Sequence, residues 1–259
     1  MDRELEELTS IARRAAALAG DIVMPLYEQR LTVELKADGT PVTEADRRAE
    51  EAMRELFARE TPGFGVLGEE QGESAGDGRY RWVIDPIDGT KSFIHHVPLF
   101  GTLVALERDG EPVVGVVDCP AVGETAWARR GGGAYLNGEP TRVSETDSLG
   151  GATVLTTSSA SLQLRTPAGF AKLAREVGLV RSWGDCYGYL AVIAGRAEAM
   201  IDPRVNPWDI APFAVLLEEA GGRLTTWAGV DGAGEDAVAT NGRIHQQLLE
   251  LLTGGEGSA

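Results

Sequence analysis

Apolar residues at Leu5, Leu8, Ile11, Ala15, Leu18, Ile22 and Leu26 return every three or four positions. That repeat lays one apolar stripe along an α-helix of about 20 residues. Asp38-Gly39-Thr40-Pro41 breaks the pattern with loop-forming residues. Thr43-Glu44-Ala45-Asp46 then has capping-box spacing, and Ala49, Met53, Leu56 and Phe57 give a second helix its stripe. Short apolar runs at 65–68 and 81–84 predict strands, each ending directly in acid, at Glu69 and Asp85. The polar, Gly-rich stretch 71–78 between them predicts a loop. Further strands are expected at 99–106, 113–117 and 124–128, and 133–136 runs into Asn137-Gly138, a strong hairpin signal. Beyond a Ser/Thr/Gly-rich stretch at 144–152 the two periods alternate. Strands are expected at 153–157, 198–201, 223–226 and 237–240. Helices are expected at 167–177, 187–194, 209–220 and 244–252, with Gly221-Gly222 ending the third and a frayed, Gly-rich tail over 253–259. The natural division is an N-terminal α+β part, 1–145, and a C-terminal α/β part, 146–259. No internal repeat is visible.

Composition narrows the classes. Hydrophobic residues make up 43% of the 259, enough for a globular core. No apolar run approaches the ~18–20 residues of a membrane helix. The acidic start Met1-Asp2-Arg3-Glu4-Leu5-Glu6-Glu7 does not look like a signal peptide, so a cytoplasmic protein is expected. Cys119 and Cys186 form no CxxC pair and read as reduced, buried thiols. The net charge of −16 disfavours a nucleic-acid partner. A phosphate ester remains possible if a divalent metal held by carboxylates supplies the positive charge.

The candidate chemistry starts at Asp85-Pro86-Ile87-Asp88-Gly89-Thr90. Pro86 fixes its own φ and biases Asp85 toward extended backbone. A strand that stops in such a turn can aim two carboxylates and the Ile87 carbonyl at one point, an oxygen set suited to hard cations. Lys91-Ser92-Phe93-Ile94 can open a helix whose first N–H groups bind phosphate. Glu69-Glu70 lies at a strand end and Trp208-Asp209 at a helix start. Either could be surface or cap alone, but three such acidic positions together suit a two-metal phosphatase.

Gly68-Glu69-Glu70, Trp82 to Thr90, Trp208-Asp209-Ile210-Ala211 and Glu219-Ala220-Gly221-Gly222 closely resemble the inositol monophosphatase superfamily in order and separation. Val42 to Asp46 and the hairpin of 131–138 extend the likeness over nearly the whole chain. The resemblance implies an α+β fold, a five-layered αβαβα sandwich of the inositol monophosphatase/fructose-1,6-bisphosphatase type, commonly a homodimer. It also implies two or three Mg²⁺ ions. Glu69, Asp85 and the Ile87 carbonyl would hold the first. Asp85, Asp88 and Asp209 would hold the second, and a weaker third would sit by Glu69. Thr90 and Asp46 would form a hydrogen-bonded pair beside the attacking water, so that Glu69, Thr90 and Asp46 carry the catalysis. Water would attack in line, with no phosphoenzyme.

Two stretches point to the histidinol-phosphatase branch: DPIDGTKSFIHHVPLFGTLVAL from Asp85, and Gly184-Asp185-Cys186-Tyr187-Gly188-Tyr189. Lys91-Ser92-Phe93 departs from the Thr-Asn-Phe common in inositol phosphatases. Asp202 stands where those enzymes carry a polyol-binding Glu. The expected reaction is therefore hydrolysis of histidinol phosphate, a step of histidine biosynthesis; the alternative is an inositol-1-phosphate phosphatase of broad specificity. Gly89, Thr90 and Lys91 are the candidate phosphate contacts, with simple solvation as the plainer reading of Lys91. Asp185 and Asp202 are candidates to face the substrate's ammonium. Each has a plainer reading, Asp185 as a helix cap and Asp202 as an organiser of the turn at Pro203. His95 and His96 are expected on a surface loop outside the chemistry.

Overall fold

The computed structural model describes residues 2–29, 31–37, 39–232 and 234–254. Asp38 of the predicted 38–41 break, Met1, and 255–259 of the predicted tail lie outside the described residues. The first stripe forms α1, Asp2–Tyr27, with Leu5, Leu8, Ala12, Ala15, Ala19 and Val23 buried. A two-stranded hairpin follows, β1 (Glu34–Leu35) and β2 (Pro41–Val42). Helix α2 (Glu44–Glu60) starts on the capping box that its sequence spacing predicts. The Thr43 hydroxyl accepts the Ala45 N–H at 3.1 Å, and Asp46 accepts the Thr43 N–H at 2.8 Å.

Next come β3 (Gly65–Gly68), β4 (Gly72–Ser74), β5 (Tyr80–Asp88) and the short helix α3 (Thr90–Ile94). Strands β6 (Gly101–Arg108), β7 (Glu111–Cys119), β8 (Glu124–Arg129), β9 (Ala134–Leu136) and β10 (Glu139–Pro140) complete an eight-stranded sheet. Its order is β10-β9-β8-β7-β6-β5-β3-β4, antiparallel except where β3 runs beside β5. Two sequence expectations need correction. The polar 71–78 stretch contains β4, because an edge strand needs backbone pairing more than apolar side chains. The strand predicted at 81–84 does not stop at Asp85. It continues to Asp88 through an irregularity: three steps along β5, Asp85 to Asp88, face two along β6, Leu103 to Gly101. This β-bulge accommodates Pro86, which has no N–H to give a regular central ladder.

The remaining chain gives β11 (Thr153–Leu155), α4 (Ser159–Arg165), α5 (Pro167–Glu176), β12 (Leu179–Arg181), α6 (Asp185–Ile193) and β13 (Ala199–Asp202). It ends with α7 (Pro207–Ala220), β14 (Arg223–Thr225), β15 (Ala237–Thr240) and α8 (His245–Thr253). Neither α4 nor β12 is foreseen by the periodicity. The second sheet has the order β12-β11-β13-β15-β14.

Side-chain burial defines the layers. Helices α1 and α2 cover one face of the large sheet, sharing a core with Trp82, Ile84, Val104 and Val116. Phe57 of α2 stacks on Trp82 at 4.5 Å between ring centroids. Helices α6 and α7 fill the space between the sheets, where Leu190, Phe213 and Leu216 meet Leu103 and Val117 on one side and Met200 and Ala239 on the other. Helices α4, α5 and α8 cover the far side of the second sheet through Leu162, Leu173, Leu248 and Leu252. The result is the expected five-layered αβαβα sandwich. No described helix is long and apolar enough to cross a membrane. Cys119 and Cys186 are free and buried, as expected, and the fold brings their sulfurs to 3.8 Å.

Candidate active site

Parallel pairing of β3 and β5 sets Gly68 opposite Ile84. The next residues, Glu69 and Asp85, therefore leave the same end of the sheet side by side, with the Glu69 N–H donating to the Ile84 carbonyl at 3.3 Å. Asp85 is 2% exposed and accepts the Ile87 N–H at 2.9 Å. The bulge returns Asp88 to this same side. From the other half of the molecule, α7 delivers Asp209 three residues into its capping box. The Asn206 backbone N–H and side-chain amide donate to Asp209 Oδ2 at 2.7 and 3.1 Å, which fixes the carboxylate's orientation. The first turn of α6 reaches Asp88, whose Oδ2 accepts the Cys186 N–H.

Asp85, Asp88 and Asp209 each offer a ligand oxygen within 4.8 Å of the others. They line a cleft of about 330 Å³ with Glu69, Ile87, Gly89, Thr90, Lys91, Thr157, Asp185, Arg204, Asn206 and the Thr40-Pro41 end of the first hairpin. Hollows of about 560 and 620 Å³ lie elsewhere on the surface, but neither gathers such a cluster, so chemistry rather than size locates the site.

The electrostatics of the cluster are unfavourable for carboxylates alone. Burial raises Asp85 well above the usual carboxylate range, and the charges of Glu69, Asp88 and Asp209 push in the same direction. Burial likewise raises Asp88, with Asp185 and Asp209 adding repulsion. Burial lifts Asp209 to about 7, and Glu69 and Asp202 add to the rise against the bonds from Asn206. Hard oxygens forced together in this way are the donor set that a divalent cation neutralises. The residues present therefore fit a metal.

Glu69 lines the cleft, while Glu70 turns beside it to share Lys36, whose ammonium donates to Glu69 Oε1 at 2.7 Å and Glu70 Oε1 at 2.6 Å. Burial works against the Lys36 charge, yet its bonds to both acids raise its pKa overall. Burial also lifts Glu70 to about 7. The Thr90 hydroxyl stands 3.4 Å from Asp46 Oδ1 and 3.1 Å from the Ile87 carbonyl, so Asp46 approaches the cleft through Thr90. Gly89 caps α3 at φ +83°, and a Cβ there would meet the Leu99 carbonyl at 3.0 Å and Asp185 Oδ2 at 3.1 Å. Only glycine meets both demands. Lys91 is exposed at the cleft wall.

Asp185 and Asp202 separate. Asp185 lies in the cleft wall in a left-handed conformation at φ +52°. Its N–H donates to Thr157 Oγ1 at 2.9 Å, and its carboxylate accepts the Ser92 hydroxyl at 3.4 Å. Burial lifts its pKa to about 6, with Asp202 contributing. Asp202 does not line the cleft. It is 5% exposed, and its two oxygens accept the Tyr189 hydroxyl at 2.8 Å and the Thr157 N–H at 3.1 Å. The expectation that it faces substrate is corrected, since both oxygens already serve internal donors. His95 and His96 are exposed beyond α3 and do not line the cleft. Arg204, Asn206, Thr157 and Lys36 were not anticipated. Asn206-x-x-Asp209 is a capping-box spacing that could have revealed Asn206. The other three carry no local signal.

The model of the inositol monophosphatase family matches residues 4–254. A histidinol-phosphatase of Chlorobaculum parvum is 42% identical, covering 95% of this chain and 96% of that protein. An inositol-1-monophosphatase of Mesorhizobium japonicum is 37% identical, covering 86% and 87%. The solved structure of extragenic suppressor protein suhB from Bartonella henselae superimposes with a TM-score of 0.91 at 30% identity, over 97% of this chain and 100% of that one. The chain belongs to the inositol monophosphatase family, a metal-dependent group of phosphoric monoester hydrolases.

Proposed function

We propose that this protein is a Mg²⁺-dependent phosphatase that hydrolyses histidinol phosphate to histidinol and inorganic phosphate. The observation that carries the reading is the convergence of Asp85, Asp88 and Asp209 beside the Gly89-Thr90 turn, with two further acids, Glu69 and Asp185, in the cleft wall. Glu69, Asp85 and the Ile87 carbonyl are assigned to one ion, and Asp85, Asp88 and Asp209 to a second, with a weaker third beside Glu69. Bound Mg²⁺ neutralises the phosphoryl oxygens and lowers the pKa of water. The chain's own groups do the rest. The Gly89 and Thr90 backbone and Lys91 hold the phosphate. Thr90, backed by Asp46, orients a water in line with the ester bond. Burial raises the Asp46 pKa, which suits a group that shares a proton with the Thr90 hydroxyl. The water oxygen bonds to phosphorus as the ester P–O bond breaks, and the departing oxygen takes up a proton. No side chain becomes phosphorylated.

Substrate choice rests on Asp185. Histidinol phosphate carries an ammonium and an imidazole beyond its phosphate, and Asp185 offers them a carboxylate 3.1 Å from the position of a Gly89 Cβ. Greater identity to the histidinol-phosphatase than to the inositol-1-monophosphatase supports the same choice. The second reading, inositol-1-phosphate hydrolysis with broad specificity, keeps every metal assignment. A cytoplasmic homodimer in histidine biosynthesis completes the proposal. The test is phosphate release from histidinol phosphate, inositol-1-phosphate, fructose-1,6-bisphosphate and adenosine 3′,5′-bisphosphate, with and without Mg²⁺. The highest kcat/KM is expected on histidinol phosphate. A preference for inositol-1-phosphate would replace the first reading with the second.

A further inference from the structure

Helix α2 presents two buried acids one turn apart. Asp46 stands behind Thr90. Glu50, at i+4 and therefore on the same helix face, is 0% exposed and lies behind the turn from β3 to β4, which carries Glu69. Its Oε2 accepts the Glu70 N–H at 2.8 Å and its Oε1 accepts the Gln71 N–H at 3.0 Å. Arg54, one helical turn further on, donates Nε to Glu50 Oε1 at 2.8 Å and reaches across to the Gly72 carbonyl and the Ser74 hydroxyl. The fit is close: a Cβ at Gly68 would come within 2.3 Å of Glu50 Oε1 and 2.8 Å of an Arg54 nitrogen.

Burying a carboxylate is costly, and apolar side chains of similar size fill a core more cheaply. What Glu50 provides that they cannot is an acceptor for two successive inward-pointing N–H groups of the turn immediately after Glu69. A turn clamped at Glu70 and Gln71 leaves little freedom to the residue before it. Regular pairing of β3 ends at Gly68, so beyond its own N–H bond to the Ile84 carbonyl Glu69 takes its position from the turn that follows.

We propose that Glu50, held by Arg54, is a positioning residue that presents Glu69 to the metal site; this rests on the reading of Glu69 as a metal ligand. Its contribution is preorganisation, so it sets metal affinity more than turnover at saturating metal. Outer partners of metal ligands typically alter affinity by about 10–100-fold.

The experiment measures Mn²⁺ binding to the full chain, without substrate, by the electron paramagnetic resonance signal of free Mn²⁺. The proteins are wild type, Glu50→Gln, Glu69→Gln and the double variant. Glu69→Gln should weaken binding, and if it does not, the ligand reading and the inference both fall. Glu50→Gln should weaken binding about tenfold, while kcat at saturating Mg²⁺ stays within about threefold. The double variant should bind no more weakly than Glu69→Gln alone, because Glu50 acts through Glu69. Unchanged affinity in Glu50→Gln, or losses that multiply in the double variant, would overturn the inference and leave Glu69 as a ligand. Should Glu50→Gln not fold, Arg54→Lys carries the same test. It keeps the charge and removes the fork that spans Glu50 and Gly72, with about three- to tenfold weaker binding expected and unchanged binding refuting.

Discussion

Replacing Asp185 by Asn should change which ester the enzyme prefers. Asn is the suitable substitution because the residue sits at φ +52°, a conformation that Asn tolerates better than most side chains. A charge-assisted hydrogen bond between a carboxylate and an ammonium contributes about 1.5–3 kcal/mol, or ~10–150-fold in affinity. Asp185 is partly exposed in the cleft wall, so the lower half of that range, about 10–40-fold in kcat/KM for histidinol phosphate, is expected. Removing the charge has a second effect, because Asp185 is the foremost charge raising the Asp88 pKa. Any resulting change at the metal cluster applies to every substrate. The informative quantity is therefore the ratio of kcat/KM for histidinol phosphate to that for inositol-1-phosphate, measured at saturating Mg²⁺. Asp202→Asn is the control, since its carboxylate does not line the cleft and both its oxygens accept internal donors, and it should leave the ratio unchanged. If Asp185→Asn lowers both activities in equal proportion, the residue supports the site without reading the substrate, and the argument for histidinol phosphate loses its physical basis.

Other outcomes follow from the same geometry. Asp85→Asn should nearly abolish hydrolysis with the fold intact, and residual activity above about a tenth of wild type would contradict its sharing between ions. Thr90→Ala should lower kcat more than it raises KM; unchanged kcat with weakened KM would make Thr90 a phosphate-binding group instead. Mg²⁺ at about 100 times its Kd should stabilise the protein by about 2.7 kcal/mol, read as a rise in Tm that Asp85→Asn largely removes; an equal rise in that variant would place the ion elsewhere. His245 is buried between the Thr225 and Thr240 hydroxyls at 3.0 and 2.9 Å, and desolvation lowers its pKa to about 4. The unfolded chain binds this proton near pH 6.5 and the folded chain only near 4, so stability falls as pH drops through that window, by about 2–3 kcal/mol. Urea midpoints from pH 7 to 4 should fall less steeply in His245→Gln, and parallel slopes would exclude the histidine as the cause.

What could be read from the sequence was local. The Asp85–Asp88 run, the Thr43–Asp46 cap and the acid at 209 each carry their signal within a few residues, and family likeness links them. Contacts between distant segments left no such trace. Lys36 meets Glu69 and Glu70 across 33 and 34 positions, and Arg204 enters the cleft from a stretch without periodicity. Asp185 and Asp202 look alike as acids next to a strand or helix. They part because the Tyr189 hydroxyl of α6 and the Thr157 N–H of the loop after β11 hold the Asp202 carboxylate inward. Strand β4 was missed because its side chains are polar and its stability comes from pairing with β3. The seven residues of α4 are too few to show a stripe.

The extra residue in β5 makes length a property of the site as decisive as identity. In a regular strand, positions 85 and 88 would point to opposite faces, because side chains alternate; the bulge cancels that alternation and lets both carboxylates meet Asp209. Deleting Pro86 or Ile87 would keep the aspartates on one face, now at i, i+2, but would break the frame of the corner from which the Ile87 carbonyl accepts the Thr90 hydroxyl. A residue inserted at the Asp109-Gly110 turn, where β6 hands over to β7, leaves that frame untouched. The chain should therefore tolerate changes of length at one end of β6 and none at the other.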